Sequence, residues 1–174
     1  MMSQITKTQP RLRYGFGNTA IGTALVAVSE AGVASILIGD GVPKLLRELA
    51  TAFPGSELVE DQAAVDTALR VVADGIDDPR TPIVLPLDVR GSAAERAVWS
   101  ALRQIPSGET RTYGQIAKAL PMSMTAQEVG AACAANVHAL AIPCHRVIKA
   151  DGTISGYRWG VARKRRLLQM EAAA

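Results

Sequence analysis

Two cysteines and two histidines are the most reactive side chains in this 174-residue chain, and one of each stand together as Cys144-His145, between Pro143 and Arg146. A thiol becomes a useful nucleophile only as thiolate, so Cys144 needs a base or a positive field beside it. His145 can serve through a water if a turn brings both side chains into one pocket. Glu171 can orient such a histidine, as an acid–base relay requires. A metal site is not expected, because Cys133 lies eleven positions upstream of Cys144 and this spacing matches no common zinc site. Two thiols are too few for a disulfide framework and suit a reducing compartment. Taken alone, an isolated Cys-His pair is more often a small buried hydrophobe beside a surface histidine.

The composition supports a folded, soluble protein. Hydrophobic residues make up 48% of the chain and charged residues 20%, enough apolar surface for a core and too much for disorder. The length fits one domain or two small ones. Charge is uneven: residues 1–90 carry 8 basic and 11 acidic side chains, a net of −3, and residues 91–174 carry 11 and 5, a net of +6. A basic second half suggests a polyanionic partner. No apolar run is long enough to span a bilayer, and residues 1–10 lack the apolar middle of a secretory signal. A cytoplasmic protein without a membrane partner is expected.

Periodicity predicts the elements that must position these side chains. Residues 11–17, 23–29 and 33–38 read as strands of a small antiparallel sheet with glycine-containing breaks. Residues 42–53 and 63–73 carry apolar side chains at helical spacing, and residues 82–87 read as a further, edge strand because of their prolines. In the second half, Ser92 with Glu95 forms a capping-box pattern before Ala97, Val98, Ala101 and Leu102. Short helices over 113–120 and 125–135 flank a break at Pro121 to Ser123, a helix-turn-helix pattern. The small-residue run before Asn136 permits close backbone packing. Ile142-Pro143 is predicted extended, Asp151-Gly152 a turn, and 160–171 a last amphipathic helix. The run Arg163-Lys164-Arg165-Arg166 reads as the solvated face of that helix, with Leu167 and Leu168 inward. Trp99 and Trp159 are assigned to packing.

The string Ile142-Pro143-Cys144-His145-Arg146-Val147-Ile148 resembles the active-site signature of the O6-alkylguanine-DNA alkyltransferases. Further motifs follow in the family's order. They are Gly108-Glu109-Thr110 with Tyr113 and Gln115, Ala131-Ala132-Cys133-Ala134-Ala135-Asn136, Ser155-Gly156-Tyr157-Arg158-Trp159-Gly160, and Leu167-Leu168 with Glu171. The likeness covers essentially the whole chain, loosely before Pro86 and closely after it. It is closest to the C-terminal part of the bacterial adaptive-response methyltransferases.

The resemblance implies an α+β protein. Residues 1–85 would form a mixed α/β, ribonuclease H-like domain with an antiparallel sheet. Residues 86–174 would form a mostly helical, winged-helix-like domain carrying the helix-turn-helix. It implies single-turnover DNA repair without a cofactor by a monomer acting on double-stranded DNA that contains O6-alkylguanine, and leaves O4-alkylthymine open. The damaged nucleotide would be everted, because O6 of a stacked guanine is out of reach. Cys144 would attack the alkyl carbon, with His145, a water and Glu171 removing the thiol proton. Tyr113 would donate its hydroxyl to N3 of the base as charge develops there. Arg158 would offer its backbone N–H near O6, Tyr157 a wall, and Cys144 and Ile148 their carbonyls. Asn136 would hold the turn before the cysteine segment. Tyr113, Thr125, Gln127, Ala132 and Arg146 would meet DNA, from the minor groove and with little sequence preference.

One position departs from the pattern. Where the family usually has an arginine filling the gap left by the everted base, this chain has Gln127, followed by Glu128. Glutamine fills space but lacks the cation that eases approach to phosphates, and Glu128 is expected to be repelled by them. Two other readings stay open at this point: a non-catalytic lesion sensor that recruits partners, and a cysteine hydrolase using Cys144 and His145. The first is disfavoured by Cys144 itself and the second by the absence of an oxyanion motif.

Overall fold

The computed structural model describes residues 10–174; most of the polar segment at residues 1–10 therefore lies outside the described residues. The first half folds as β1 (Arg11–Thr19), β2 (Gly22–Ser29), β3 (Gly32–Gly39), α1 (Val42–Ala52), β4 (Glu57–Glu60) and α2 (Gln62–Asp77). Strands lie in the order β3-β2-β1-β4. The first three are antiparallel, as expected, but β4 pairs parallel with β1 from Arg11↔Glu57 to Tyr14↔Glu60, so the sheet is mixed. This strand is too short to show a period in the sequence.

Helix α2 covers one face of the sheet with Val65, Ala68, Leu69, Val72 and Ile76, a stripe that repeats every three to four residues. Ile76 carries that stripe beyond the predicted end at residue 73. At the N-terminus Asp61 caps the helix, accepting from the Ala64 N–H at 3.2 Å.

Strand β3 is buried along seven of its eight residues. A strand covered on both faces loses its polar alternation, and β3 is the seam of the molecule. Its outer edge bonds two segments of the second half. The Val33 N–H donates to Pro86 O and the Asp88 N–H to Val33 O, each at 2.8 Å. The Ile36 N–H donates to Val137 O and the Ala139 N–H to Ile36 O, each at 2.9 Å. The strand expected over 82–87 is therefore an extended segment with a single bridge, Val33↔Leu87. Gly32 sits at φ 140° where a Cβ would fall 2.6 Å from Pro86 O, so only glycine lets this segment approach.

The second half contains α3 (Ala93–Leu102), β5 (Arg111–Thr112), α4 (Tyr113–Ala119), α5 (Ala126–Ala134), a one-turn 3-10 helix (Cys144–Arg146), β6 (Val147–Ile148) and α6 (Val161–Ala173). Helices α3, α4 and α5 each begin with a complete capping box: Ser92 with Glu95, Thr112 with Gln115, and Thr125 with Glu128. Such caps fix helix starts to the residue and contribute about 1 kcal/mol each. Strands β5 and β6 pair parallel, tying the entrance of α4 to the exit of the cysteine turn. Ile142, predicted extended, instead bends, its N–H donating to His138 O at 3.1 Å, while Leu140 takes φ 72°. The chain must reverse there to bring Cys144 back beneath Asn136. Among the described residues no helix is long and apolar enough to cross a membrane.

Candidate active site

Cys144 opens the 3-10 turn and is 5% exposed. Asn136, fully buried just beyond α5, organises the turn around it. Its Oδ1 accepts from the His138 N–H at 2.8 Å, while Nδ2 donates to Ile142 O at 2.9 Å and to Cys144 Sγ at 3.3 Å. One amide thus closes the loop 136–142 and aims a donor at sulfur. Burial pushes the Cys144 thiol above its usual range, and the Asn136 bond and the Lys164 charge only partly oppose this. The resting side chain is a thiol, which explains why a base is needed.

That base has a defined tautomer. His145 Nε2 lies 2.7 Å from Glu171 Oε1. A carboxylate only accepts, so Nε2 carries the proton and Nδ1 is the bare, basic nitrogen. Nδ1 is buried with no hydrogen-bond partner in the protein. Arg146 grips the same carboxylate through Nε at 3.1 and 3.0 Å and Nη2 at 2.8 Å, and its Nη1 donates to Ile105 O at 2.7 Å. Burial opposes the charge on Glu171, but its bonds to His145 and Arg146 prevail and hold it at about 2. Burial lowers His145 despite Glu171, so the ring is neutral at pH 7. Glu171 favours a proton on the imidazole and the Arg146 charge opposes it.

A cavity of about 400 Å³ opens in front of the sulfur, lined by Tyr113, Gly130, Cys133, Cys144, Tyr157 and Arg158 among others. This is within the usual size of small-molecule clefts. Tyr113, the first residue of α4, is half-buried and its hydroxyl bonds Ser155. Tyr157 stands edge-on to Trp159 at 5.3 Å and to His145 at 6.5 Å. The loop they belong to is pinned from the first half: Glu48 on α1 accepts from Arg158 Nε at 2.9 Å and from Trp159 Nε1 at 3.1 Å. Cys133, on α5, also lines the cavity, and burial pushes its thiol up to about 12.

The structure thus brings Tyr113, Cys144, Tyr157 and Arg158 to one cavity, with Asn136 bonded to the sulfur, while His145 and Glu171 line a neighbouring cavity and Ile148 lies on β6. It does not do so for all the residues expected to meet DNA. Arg146 is spent on Glu171 and Ile105, its side chain 16% exposed. Ala132 is 4% exposed and its carbonyl accepts from Trp99 Nε1 at 2.8 Å, so it faces the core. The exposed small residues of α5 are Ala126, Ala131 and Ala134. Gln127 and Thr125 are exposed, although the Thr125 hydroxyl and the Glu128 carboxylate cap α5 together. The basic run is also not a uniform solvated face. Arg165 and Arg166 are exposed and Leu168 only half-buried, but Arg163 bonds Ile21 O at 2.7 Å and Asp40, and Lys164 is 1% exposed. Lys164, Leu167 and Glu171 fall at i, i+3 and i+7, one face of α6, a spacing that marks Lys164 as inward.

The family description "6-O-methylguanine DNA methyltransferase, DNA binding domain" matches residues 93–173. The chain is 45% identical over 161 residues to the Bifunctional transcriptional activator/DNA repair enzyme Ada of Escherichia coli, covering 92% of this chain and 46% of that one. It therefore spans about half the length of that relative. It is 37% identical over 122 residues to the inducible Methylated-DNA--protein-cysteine methyltransferase of Bacillus subtilis, covering 70% of this chain and 68% of the relative. The fold matches Mycobacterium tuberculosis OGT in complex with DNA, with a TM-score of 0.78, 30% identity and coverage of 94% and 93%. On these matches and the geometry around Cys144, the chain belongs to the O6-methylguanine-DNA methyltransferase family.

Proposed function

We propose that this chain repairs O6-alkylguanine in double-stranded DNA by moving the alkyl group irreversibly onto Cys144. The observation that carries this reading is a buried thiol opening on a cavity, followed in the same 3-10 turn by a histidine whose tautomer is fixed by Glu171 and whose Nδ1 has no partner in the protein. In the reaction Sγ forms a bond to the alkyl carbon as the carbon–O6 bond breaks. The thiol proton passes through a water to His145 Nδ1, and the purine leaves as the conjugate base that takes up a proton to become guanine. Tyr113 donates to N3 while that charge develops, and the backbone N–H of Arg158 serves O6. The product is a thioether, a poor leaving group, and the other thiol on the cavity, Cys133, is kept protonated by burial, so each molecule acts once.

The reading divides the work between residues 1–85, a ribonuclease H-like domain that buttresses the site through β3 and Glu48, and residues 86–174, a winged-helix-like domain that binds DNA and accepts the alkyl group. Helix α5 and Tyr113 present the DNA-facing surface, with Thr125 and Gln127 on its exposed side, in a monomeric cytoplasmic protein. Peptide mapping after incubation with O6-methylguanine DNA tests the proposal. One methyl on the Cys144 peptide, absent in Cys144→Ser, is expected. A repaired oligonucleotide with both cysteines unmodified would refute it; binding without repair would point to a lesion sensor.

A further inference from the structure

Lys164 is among the largest fully buried side chains, at 1% exposed, and among the described residues no carboxylate pairs with it. Its Nζ lies 3.4 Å from Ser155 Oγ and 6.0 Å from the centre of the Tyr113 ring. Ser155 in turn bonds the Tyr113 hydroxyl. A buried ammonium without an anion is costly and calls for a reason. Its charge favours the Cys144 thiolate only in part, and the packing of α6 needs no ammonium.

We infer that Lys164 and Ser155 are positioning residues that set the direction of the hydrogen bond Tyr113 offers into the pocket. An ammonium has donors and no acceptor, so at this contact Ser155 Oγ accepts. The serine then has one proton left, and the partner the structure gives it is the tyrosine oxygen. With its oxygen accepting from Ser155, Tyr113 turns its own proton toward the cavity, where the N3 acceptor of the base arrives. The positive charge at the start of the chain also strengthens each donor along it, because hydrogen bonds in series polarise one another. A neutral packing residue at 164 would leave the Ser155 and Tyr113 protons free to point either way.

This inference rests on the proposed role of Tyr113, and the test separates the two. Single-turnover methyl transfer is measured for the wild type, Ser155→Ala and Lys164→Met on DNA carrying O6-methylguanine or its 3-deaza analogue, in which carbon replaces N3. Each rate constant is normalised to the amplitude of methyl accepted, so that only folded, competent protein is counted. The wild type is expected to be roughly 100-fold slower on the 3-deaza lesion, the effect of losing one aimed donor. Ser155→Ala, which removes one oxygen, is expected to slow the natural lesion roughly tenfold while changing the 3-deaza rate little. Lys164→Met, which also removes a charge that favours the Cys144 thiolate, is expected to slow both lesions and the natural one more, so that in each variant the discrimination shrinks. A variant that slows both lesions equally, or neither, overturns the inference and leaves the Tyr113 role intact. A wild type that does not discriminate overturns the Tyr113 role and the inference with it.

Discussion

The two halves of this molecule bury different things. Between β1 and α2 the buried side chains are apolar apart from Ser35, whereas the half that holds Cys144 buries Asn136, His138, His145, Lys164 and Glu171. Burying a polar group costs free energy unless its bonds are remade. The first half therefore behaves as a core selected for packing, and the second tolerates cost where groups must be aimed. The contrast teaches that the buried polar groups are gathered in one half, where their bonds serve both stability and aim, and the two halves meet at β3, whose edge carries both 86–88 and 137–139.

Breaking the cluster of His145, Arg146 and Glu171 should produce the largest effect. Glu171→Gln leaves Arg146 and the His145 tautomer without their anion, and a loss of about 3–5 kcal/mol in denaturant unfolding is expected, together with slow methyl transfer. If both stability and rate stay near wild type, the two halves do not differ as described. Leu25→Ala, in the fully buried centre of β2, is expected to cost about 2–5 kcal/mol. Its transfer rate per folded molecule should be unchanged; a slower rate would mean that sheet packing reaches the site.

Acid should sharpen the same contrast. Glu171 is held at about 2 against an ordinary 4.5. Its folded value is depressed, so its contribution is present above pH ~4.5 and lost as pH falls toward 2, on the order of 3 kcal/mol. His145 is also lowered, from 6.5, so the unfolded chain takes up that proton first and stability begins to fall below about pH 6.5. Unfolding followed from pH 7 to 3 should lose stability in that order in the wild type. In Glu171→Gln the lower step should shrink to what Asp61, Asp78, Asp88 and Asp151 contribute, whose carboxyls are also held below the usual range; a step of undiminished size would assign it to those carboxylates.

Much of this was legible in the sequence, for identifiable reasons. The capping box at Ser92, and the apolar stripes of α1 and α2, are local signals that packing did not override. Cys144, His145 and Glu171 could be read from the ordered motifs. The parallel strand β4 could not, because four residues show no period and its pairing depends on α1 turning the chain. Lys164 was misread because a cation in a basic run looks solvated, and only tertiary contact shows that it is enclosed above Tyr113. Arg146 was expected at DNA from the resemblance, and only tertiary contact shows that it is spent on Glu171 and Ile105. Ala132 was misplaced by a rotation along α5 that the small residues around it do not specify.

The smallest effect is expected at the surface proposed to face DNA. Gln127→Arg should tighten binding several-fold and steepen the salt dependence by roughly one ion, while leaving the alkylation of Cys144 itself in place. Repair rates at subsaturating protein should rise; an unchanged or slower rate would count against a shortfall of positive charge at this position.

The central claim is that one sulfur is consumed by one reaction. Intact protein mixed with a tenfold excess of O6-methylguanine duplex should accept a single methyl equivalent and then stop, with the remaining lesions untouched over a further day. Continued repair beyond one equivalent per molecule, or repair that leaves the mass of the protein unchanged, would contradict it.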